Sequence, residues 1–123
     1  MITQKQAERL AREWIDAFNR HDLDTILAHY ADDVEFTSPA VIEVMGEASG
    51  TLRGKATLRE YFGKAIARYP DLGFELLHVF VGVDSVALVY RSLHRDRLGV
   101  ELMQLSPQAL VTKSLVLYAP PWA

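Results

Sequence analysis

The 123-residue chain has a formal net charge of −3, with half of its residues apolar and about a quarter charged. This length predicts one domain, the low net charge without a basic stripe argues against nucleic-acid binding, and the absence of cysteine excludes disulfides and thiolate metal sites. No apolar run is long enough to cross a membrane, and the N-terminus lacks the pattern of a signal peptide. We therefore expect a soluble, cytoplasmic protein.

The first predicted element is a long amphipathic helix. Thr3 and Gln6 have the spacing of a capping box, in which each side chain satisfies a backbone N–H of the other residue. Apolar residues then recur at helical spacing and predict one buried stripe: Ala7, Leu10, Ala11, Trp14, Ala17 and Phe18. Asp22 is placed to cap a second, short helix, with apolar side chains on one face: Leu23, Ile26, Leu27 and Tyr30.

A strand that ends at a proline follows the short helix. Val34, Phe36 and Ser38 alternate with polar residues, which is the period of a half-buried strand. Pro39 favours an extended conformation at Ser38, because its ring clashes with a helical predecessor. Ser38 thus shares a face with Phe36. Its hydroxyl either bonds a nearby backbone group or provides a polar group in a pocket.

The middle of the chain predicts a loop and a third helix. Residues 41–45 are interpreted as a second short strand or an extended loop, and residues 46–50 as a flexible connection containing two glycines. A helix is predicted over residues 55–69 and is stopped by Pro70. Tyr61 and Phe62 lie on its apolar face, where aromatic side chains more often belong to the core than to a ligand site.

The second half predicts an antiparallel meander of strands over residues 74–81, 86–95, 100–105 and 110–118, joined by short polar turns. Helices followed by an antiparallel sheet indicate the α+β class. The last strands are apolar on both faces: Leu110, Val116 and Tyr118 are predicted on one side, and Val111, Leu115 and Leu117 on the other. Since such a sheet normally exposes one polar face, we expect a homodimer through the outer face.

Glu101 is the main candidate for chemistry. It alternates with Met103 and Leu105, so its carboxyl would share an apolar face and its pKa would rise. A carboxyl of this kind suits general acid–base work. The alternative is the opposite register, in which Glu101 points to solvent and Val100 and Leu102 point inward.

The sequence does not decide the roles of two histidines and one arginine. His78 shares strand parity with residues 74, 76 and 80, and His94 with residues 88 and 90, so either is an acid–base candidate or a structural group. His21 and His29 are expected in solvent. Arg91 either reaches across the outer face or points inward beside Glu101. No histidine or carboxylate motif for a metal, and no phosphate loop, is present.

Three stretches together resemble one family. NRHDLD at residues 19–24, YADDVEF at 30–36 with the following proline, and TLRGKATLREYFGKAIARYPDLGFEL at 51–76 are similar to the SnoaL-like, ketosteroid-isomerase-like branch of the nuclear transport factor 2-like superfamily. The resemblance implies a single domain over residues 1–123. It implies a cone-shaped α+β barrel, with N-terminal helices packed on a curved, mixed but mostly antiparallel sheet that encloses a pocket. It also implies that residues 46–50 lie over the pocket mouth.

The resemblance also allows the residues needed for ketosteroid isomerase activity to be compared with this chain. Ketosteroid isomerases combine a tyrosine in the first helix, an aspartate base before the strand-end proline and a second acid on a later strand. These positions carry Trp14, Ser38 and Glu101 here. Trp14 cannot act as an acid near neutral pH, and Ser38 has no base nearby in sequence. Members of the family often carry an acid after the last strand's aromatic, where this chain has Tyr118-Ala119-Pro120-Pro121. Standard ketosteroid isomerase activity is not expected.

Two functions remain open. The first is a pocket enzyme of isomerase, cyclase or hydrolase type that uses a lone carboxylate on a small, apolar, oxygenated molecule, without cofactor or metal. The second is a non-catalytic ligand-binding or dimerisation module. The candidate catalytic residues are Glu101, His78 and His94. The candidate ligand-contacting residues are Trp14, Tyr30, Phe36, Ser38, Tyr61, Phe62, Tyr90, Met103 and Tyr118.

Overall fold

A computed structural model describes residues 1–120 and shows four helices and six strands in that range. In chain order these are α1 Gln4–Asn19, α2 Leu23–Leu27, β1 Tyr30–Thr37, α3 Pro39–Met45, β2 Thr51–Arg53, α4 Lys55–Arg68, β3 Phe74–Val81, β4 Ser85–Ser92, β5 Arg97–Leu105 and β6 Val111–Tyr118. The segment Tyr118-Ala119-Pro120-Pro121, which lacks the acid common in the family, falls partly outside the described residues. No helix within residues 1–120 is long and apolar enough to span a membrane.

The strands form one open, mixed sheet in the order β2-β1-β6-β5-β4-β3. β1 and β6 run parallel, and every other neighbouring pair is antiparallel. The predicted α+β class, the mostly antiparallel sheet and the four-stranded meander are confirmed. The helices cover one face of the sheet, and the core lies between them.

Helix α1 begins and packs as predicted. Thr3 and Gln6 form both hydrogen bonds of the capping box. All six residues of the predicted apolar stripe are buried. Trp14 stacks on Phe74 of β3 with ring centroids 5.5 Å apart, and Phe18 meets Phe62 of α4 edge-on at 5.1 Å. The stripe therefore joins α1 to both the sheet and α4.

The prediction of a strand or extended loop at residues 41–45 is wrong, since they belong to helix α3. Ser38 is its N-cap, in an extended conformation, and Pro39 occupies the first turn, where a missing N–H costs nothing. Gly46 ends the helix with a φ of 68°, a left-handed conformation that glycine adopts without strain. The short strand β2 was not predicted and pairs with β1.

Irregular pairing moves several residues from their predicted places. Tyr30 begins β1 instead of belonging to the short helix. The β5–β6 register shifts near Leu105, so Val111 is fully buried on the inner face with Val116, whereas the prediction put these two residues on opposite faces. Leu110 precedes β6, and Gly99, predicted in a turn, lies within β5. Each extra residue in a ladder reverses the side-chain alternation beyond it.

Candidate functional site

A cavity of about 50 Å³ lies between the helices and the inner face of the sheet. It has room for roughly three or four water molecules, at about 12–15 Å³ each. Eight of the candidate site residues line it: Trp14, Phe36, Ser38, Tyr61, Phe62, His94, Glu101 and Tyr118. Tyr30, Tyr90 and Met103 are fully buried but do not line the cavity; they support the residues that do.

Glu101 lies at the floor of the cavity with 4% of its surface exposed. It points inward from β5 with Met103 and Leu105, as their alternation predicts. Tyr90 Oη lies 3.2 Å from Oε1, and the Ser114 hydroxyl donates to Oε2 at 2.9 Å. Burial raises the pKa of Glu101 to about 8, and these two hydrogen bonds only partly oppose the rise. The carboxyl is therefore mostly protonated at neutral pH.

Gly99 explains how Tyr90 reaches the carboxyl. The two residues are directly opposite each other on β4 and β5. A Cβ atom on Gly99 would lie 2.8 Å from Cε1 of the Tyr90 ring and 3.1 Å from its hydroxyl. The ring therefore occupies the space that a side chain at position 99 would fill. Sequence reasoning missed both Gly99 and Ser114; a glycine between apolar strand residues was the one available signal.

Four tyrosines surround the carboxyl, and all have raised pKa values: Tyr30, Tyr61, Tyr90 and Tyr118. Burial is the main cause for each, and an ionised Glu101 would raise the values further. They are therefore neutral phenols at physiological pH. Trp14 Nε1 donates to Tyr30 Oη at 2.9 Å, so its N–H is already bonded and the indole offers the cavity an apolar surface.

Ser38 has the backbone-bonding role that was one of its two alternatives. Its hydroxyl accepts from the N–H of Ala40 at 3.1 Å, and its own N–H donates to the carbonyl of Gly50 at 2.9 Å. The residue is buried and lines the cavity. Its main contribution is to begin α3, which forms one wall of the mouth.

The mouth of the cavity is polar. Glu43 of α3 forms an ion pair with Arg95 and accepts a hydrogen bond from Tyr69 Oη at 2.6 Å. The Tyr69 hydrogen bond is the main reason that the pKa of Glu43 is lowered, and Arg95 adds to it. The residues that flank the opening belong to α3 and to the β4–β5 turn. The loop of residues 46–50 does not line the cavity, contrary to the expectation from the resemblance.

His94 lies at this mouth, in the turn after β4. Its Nδ1 is 3.1 Å from the Ser92 hydroxyl, and its ring packs against Tyr69 at a tilt of 40° with centroids 4.8 Å apart. Burial, and then the charge of Arg95, lower the pKa of His94, so it is neutral at physiological pH. The structure thus separates His94 from Glu101, one at the mouth and the other at the floor.

His78 and Arg91 lie outside the cavity. A register shift between Leu76 and His78 breaks the predicted parity, and His78 is exposed beside Phe80 at 6.2 Å between ring centroids. A catalytic role together with Glu101 is therefore not possible in this geometry. Arg91 points outward and pairs with Glu75 and Asp96 of the same chain. Within residues 1–120, no three histidine or carboxylate side chains gather as metal ligands.

A family profile and a solved structure both relate this chain to SnoaL-like proteins. The sequence profile of the SnoaL-like domain matches residues 11–110. A SnoaL-like protein of unknown function from Burkholderia thailandensis is 47% identical, with a TM-score of 0.91, and the match covers 96% of this chain and 98% of that chain. No protein with curated annotation matches the sequence.

More distant structures share the fold. A candidate ketosteroid isomerase from Kribbella flavida is 20% identical, with a TM-score of 0.74 over 97% of this chain and 82% of that one. A nuclear transport factor 2-like protein of unknown function from Cytophaga hutchinsonii is 17% identical, with a TM-score of 0.71 over 98% and 96%. The profile match, the 47% identity and the shared fold together show that this chain belongs to the SnoaL-like domain family.

Proposed function

We propose that this protein is an acid–base enzyme in which Glu101 moves a proton on a small, oxygenated, largely apolar substrate. The observation that carries the proposal is a buried carboxyl, neutral near pH 7, on the floor of a cavity with aromatic walls. Such a group has a pKa near the working pH, where a general acid or base is most effective. The reaction belongs to the isomerase or cyclase type, not to standard ketosteroid isomerisation.

The hydrogen bonds of Glu101 leave one hydrogen-bonding position open on each carboxyl oxygen. Each carboxyl oxygen has two lone-pair positions, and the described partners occupy one on each oxygen. The protonated oxygen can therefore donate to a substrate carbonyl. The other oxygen then accepts a proton from the adjacent carbon, and the substrate becomes an enol. In a substrate with a β,γ double bond, the carboxyl then donates this proton to the γ-carbon while the enol O–H returns its proton to the other carboxyl oxygen, which moves the double bond to the α,β position and restores the neutral carboxyl.

The walls restrict the substrate to a small molecule. Trp14, Phe36, Phe62 and Phe74 present aromatic surface, and the cavity volume is about 50 Å³. The three or four waters that fit there take up roughly 100 Å³ of liquid, at about 30 Å³ each. That is the size of a chain of about five carbons.

Deuterium exchange tests the proposal. Small ketones and aldehydes in D₂O should exchange their α-hydrogens faster with the wild-type protein, and Glu101→Gln should lose at least 100-fold of this rate. Glu60→Gln is the matched control, because Glu60 is exposed on α4 and its one ion pair among the described residues is with Lys64. Equal rates for Glu101→Gln and wild type would contradict the proposed role.

A binding module is the second candidate. The Ser38 hydroxyl, at the position of the ketosteroid-isomerase base, is used to cap α3. Retention of small ketones by the wild type and by Glu101→Gln, with no exchange in either, would favour this alternative.

We also propose that a second copy of the chain covers the outer face of β5 and β6. Leu102 lies opposite Leu115, and Val100 lies opposite Leu117, which makes a continuous apolar patch. Leu102 is 41% exposed and Leu117 is 53% exposed. Patches of this kind on a small protein usually mark an interface.

Sedimentation or light scattering tests the dimer. The wild type should have the mass of two chains, and Leu102→Lys should shift it to the monomer, because the new charge would be buried in the interface. Val83→Lys is the control, since Val83 is an exposed apolar residue in the β3–β4 turn outside the patch. A wild-type monomer at all concentrations would contradict this proposal.

A further inference from the structure

We propose that Arg97 binds a carboxylate at one end of the ligand, so that the substrate class is a short carboxylic acid with a carbonyl oxygen near its other end. This inference rests on the proposed function of Glu101 and names the chemistry of its substrate. It starts from an arginine that lines the cavity but did not appear among the candidate site residues.

The surroundings of Arg97 leave its charge unmatched. None of the ion pairs formed within residues 1–120 includes Arg97. Its Nε is buried and has no hydrogen-bond partner in the same range. A buried donor without a partner costs roughly 1–3 kcal/mol, so such groups commonly bind something that completes them.

Tyr118 holds the guanidinium in place. Arg97 Cζ lies 3.7 Å from the centroid of the Tyr118 ring, within the range of a cation–π interaction. Stacking fixes the plane of the guanidinium and leaves its N–H groups available at the edge. That geometry suits a carboxylate, which can accept two parallel hydrogen bonds from one guanidinium.

The charge of the whole lining favours an anion. Arg95 is matched by Glu43, whereas Arg97 has no ion-pair partner among residues 1–120. Glu101 and His94 are neutral at physiological pH, because burial raises the pKa of the first and lowers that of the second. The cavity therefore has a net charge of +1 in a chain whose net charge is −3.

The position of Arg97 on the strand sets the length of the ligand. Arg97 and Glu101 lie on the inner face of β5, four residues apart, which places their Cα atoms about 13 Å apart. Gly99 lies between them, and the Tyr90 ring occupies the space over it, so the ligand would lie along this ring. Arg97 reaches toward the same point, because its guanidinium lies over Tyr118, the residue opposite Gly99 on β6. The Arg97 side chain covers part of this distance. A five-carbon oxo acid can then reach from the guanidinium to the carboxyl of Glu101.

Matched probes test the inference. We would titrate the protein with 4-oxopentanoate and with 4-oxopentanamide near pH 6.5, following the Arg97 Nε–H and Gly99 N–H signals by NMR. The acid should bind at least about tenfold more tightly than the amide, because only the acid forms a charge-assisted pair. Arg97→Gln should abolish this preference. Arg97→Lys should retain part of it, since the charge remains and the planar fork is lost.

Two further variants complete the design. Arg12→Gln removes an exposed charge on α1, outside the cavity, and should leave the preference unchanged. Glu101→Gln should also keep it, so a failure of the acid–base proposal is distinguishable from a failure of this one. Equal affinity for acid and amide, an undiminished preference in Arg97→Gln, or no binding of the acid at millimolar concentration would overturn the inference.

Discussion

Two glutamates line the same cavity and have opposite pKa shifts. Glu101, on the floor, has neutral partners, Tyr90 and Ser114, and its pKa rises to about 8. Glu43, at the mouth, has the Tyr69 hydroxyl and Arg95, and its pKa is lowered. The side chain of Glu43 is 35% exposed, whereas Glu101 is almost fully buried.

The difference shows what sets the protonation state in this protein. Burial makes the charged form of Glu101 costly, whereas the Tyr69 hydrogen bond and then Arg95 favour the charged form of the more exposed Glu43. The floor of the cavity thus carries a neutral carboxylic acid, which can donate a proton. The mouth carries the Glu43–Arg95 ion pair, and a further arginine, Arg97, lines the cavity. Variants that alter either environment test whether burial and hydrogen bonding set the protonation states of these two glutamates.

The largest expected effect is on the pH dependence of stability in Glu101→Gln. The pKa of Glu101 is about 8 in the folded state against 4.5 for the ordinary group, so between these values the folded chain holds one more proton than the unfolded chain. The wild type therefore loses stability as pH rises through this window. Glu101→Gln should avoid a loss of up to roughly 4 kcal/mol by pH 8, at about 1.36 kcal/mol per pKa unit.

Urea unfolding of both proteins between about pH 5 and pH 8 measures this effect. The stability difference should be small at the acid end and should grow as pH rises. Glu60→Gln, an exposed glutamate, should show no comparable trend. A pH-independent difference between wild type and Glu101→Gln would refute the buried neutral carboxyl.

The second effect comes from Gly99→Ala. The new methyl group would approach within 2.8 Å of the Tyr90 ring and move its hydroxyl away from Glu101. We expect a destabilisation of about 1–3 kcal/mol, typical of an overpacked core. We also expect a further rise in the pKa of Glu101, since a hydrogen bond to its charged form is lost. Gly63→Ala, in α4, is the control, because its Cβ would meet only a Leu23 methyl group at 3.8 Å.

A smaller effect is expected for Ser114→Ala. This change removes the donor to Oε2 of Glu101, so the pKa of the carboxyl should rise by up to about one unit, since a hydrogen bond contributes about 1 kcal/mol. The measurement is an NMR titration of the carboxyl. Ser49→Ala, on an exposed loop, should leave the pKa unchanged. A lower pKa in Ser114→Ala would show that the hydroxyl does not donate to the charged form.

The smallest effect on stability is expected for Glu43→Gln. Its ion pair with Arg95 is partly exposed, and such pairs contribute about 0–1 kcal/mol. Loss of the negative charge should nevertheless make the mouth more positive and strengthen binding of 4-oxopentanoate. Calorimetry measures both quantities. A stability loss of several kcal/mol would indicate that the Glu43–Arg95 pair behaves as a buried one, and that the mouth is not more exposed to solvent than the floor.

Much of the fold was predictable because its signals are local. The capping box of Thr3 and Gln6 and the apolar stripe predicted α1, and alternation predicted the meander and the inward direction of Glu101. Helix α3 was misread because residues 41–45 form an apolar run that suits a strand. The preceding Ser38-Pro39 pair, a good helix start, was the stronger signal.

The rest of the site depends on pairing between distant strands. Ladder irregularities near Leu77 and Leu105 reverse the alternation, and single-sequence parity therefore misplaced His78 and Val111. Ser114 and Gly99 matter only because β6 and β4 bring them against Glu101 and Tyr90. Arg97 was not noticed because its proposed role arises from the lack of a partner in the described part of the chain, which no linear pattern shows.

The proposed mechanism and the proposed substrate both depend on Glu101 being a neutral acid on the floor of the cavity. A carboxyl-resolved NMR titration, with Glu101→Gln to assign the signal, measures its protonation state. We expect a pKa of about 8. A value near the ordinary 4.5 would mean a solvated, charged carboxylate and would contradict both the acid–base mechanism and the net positive charge of the pocket.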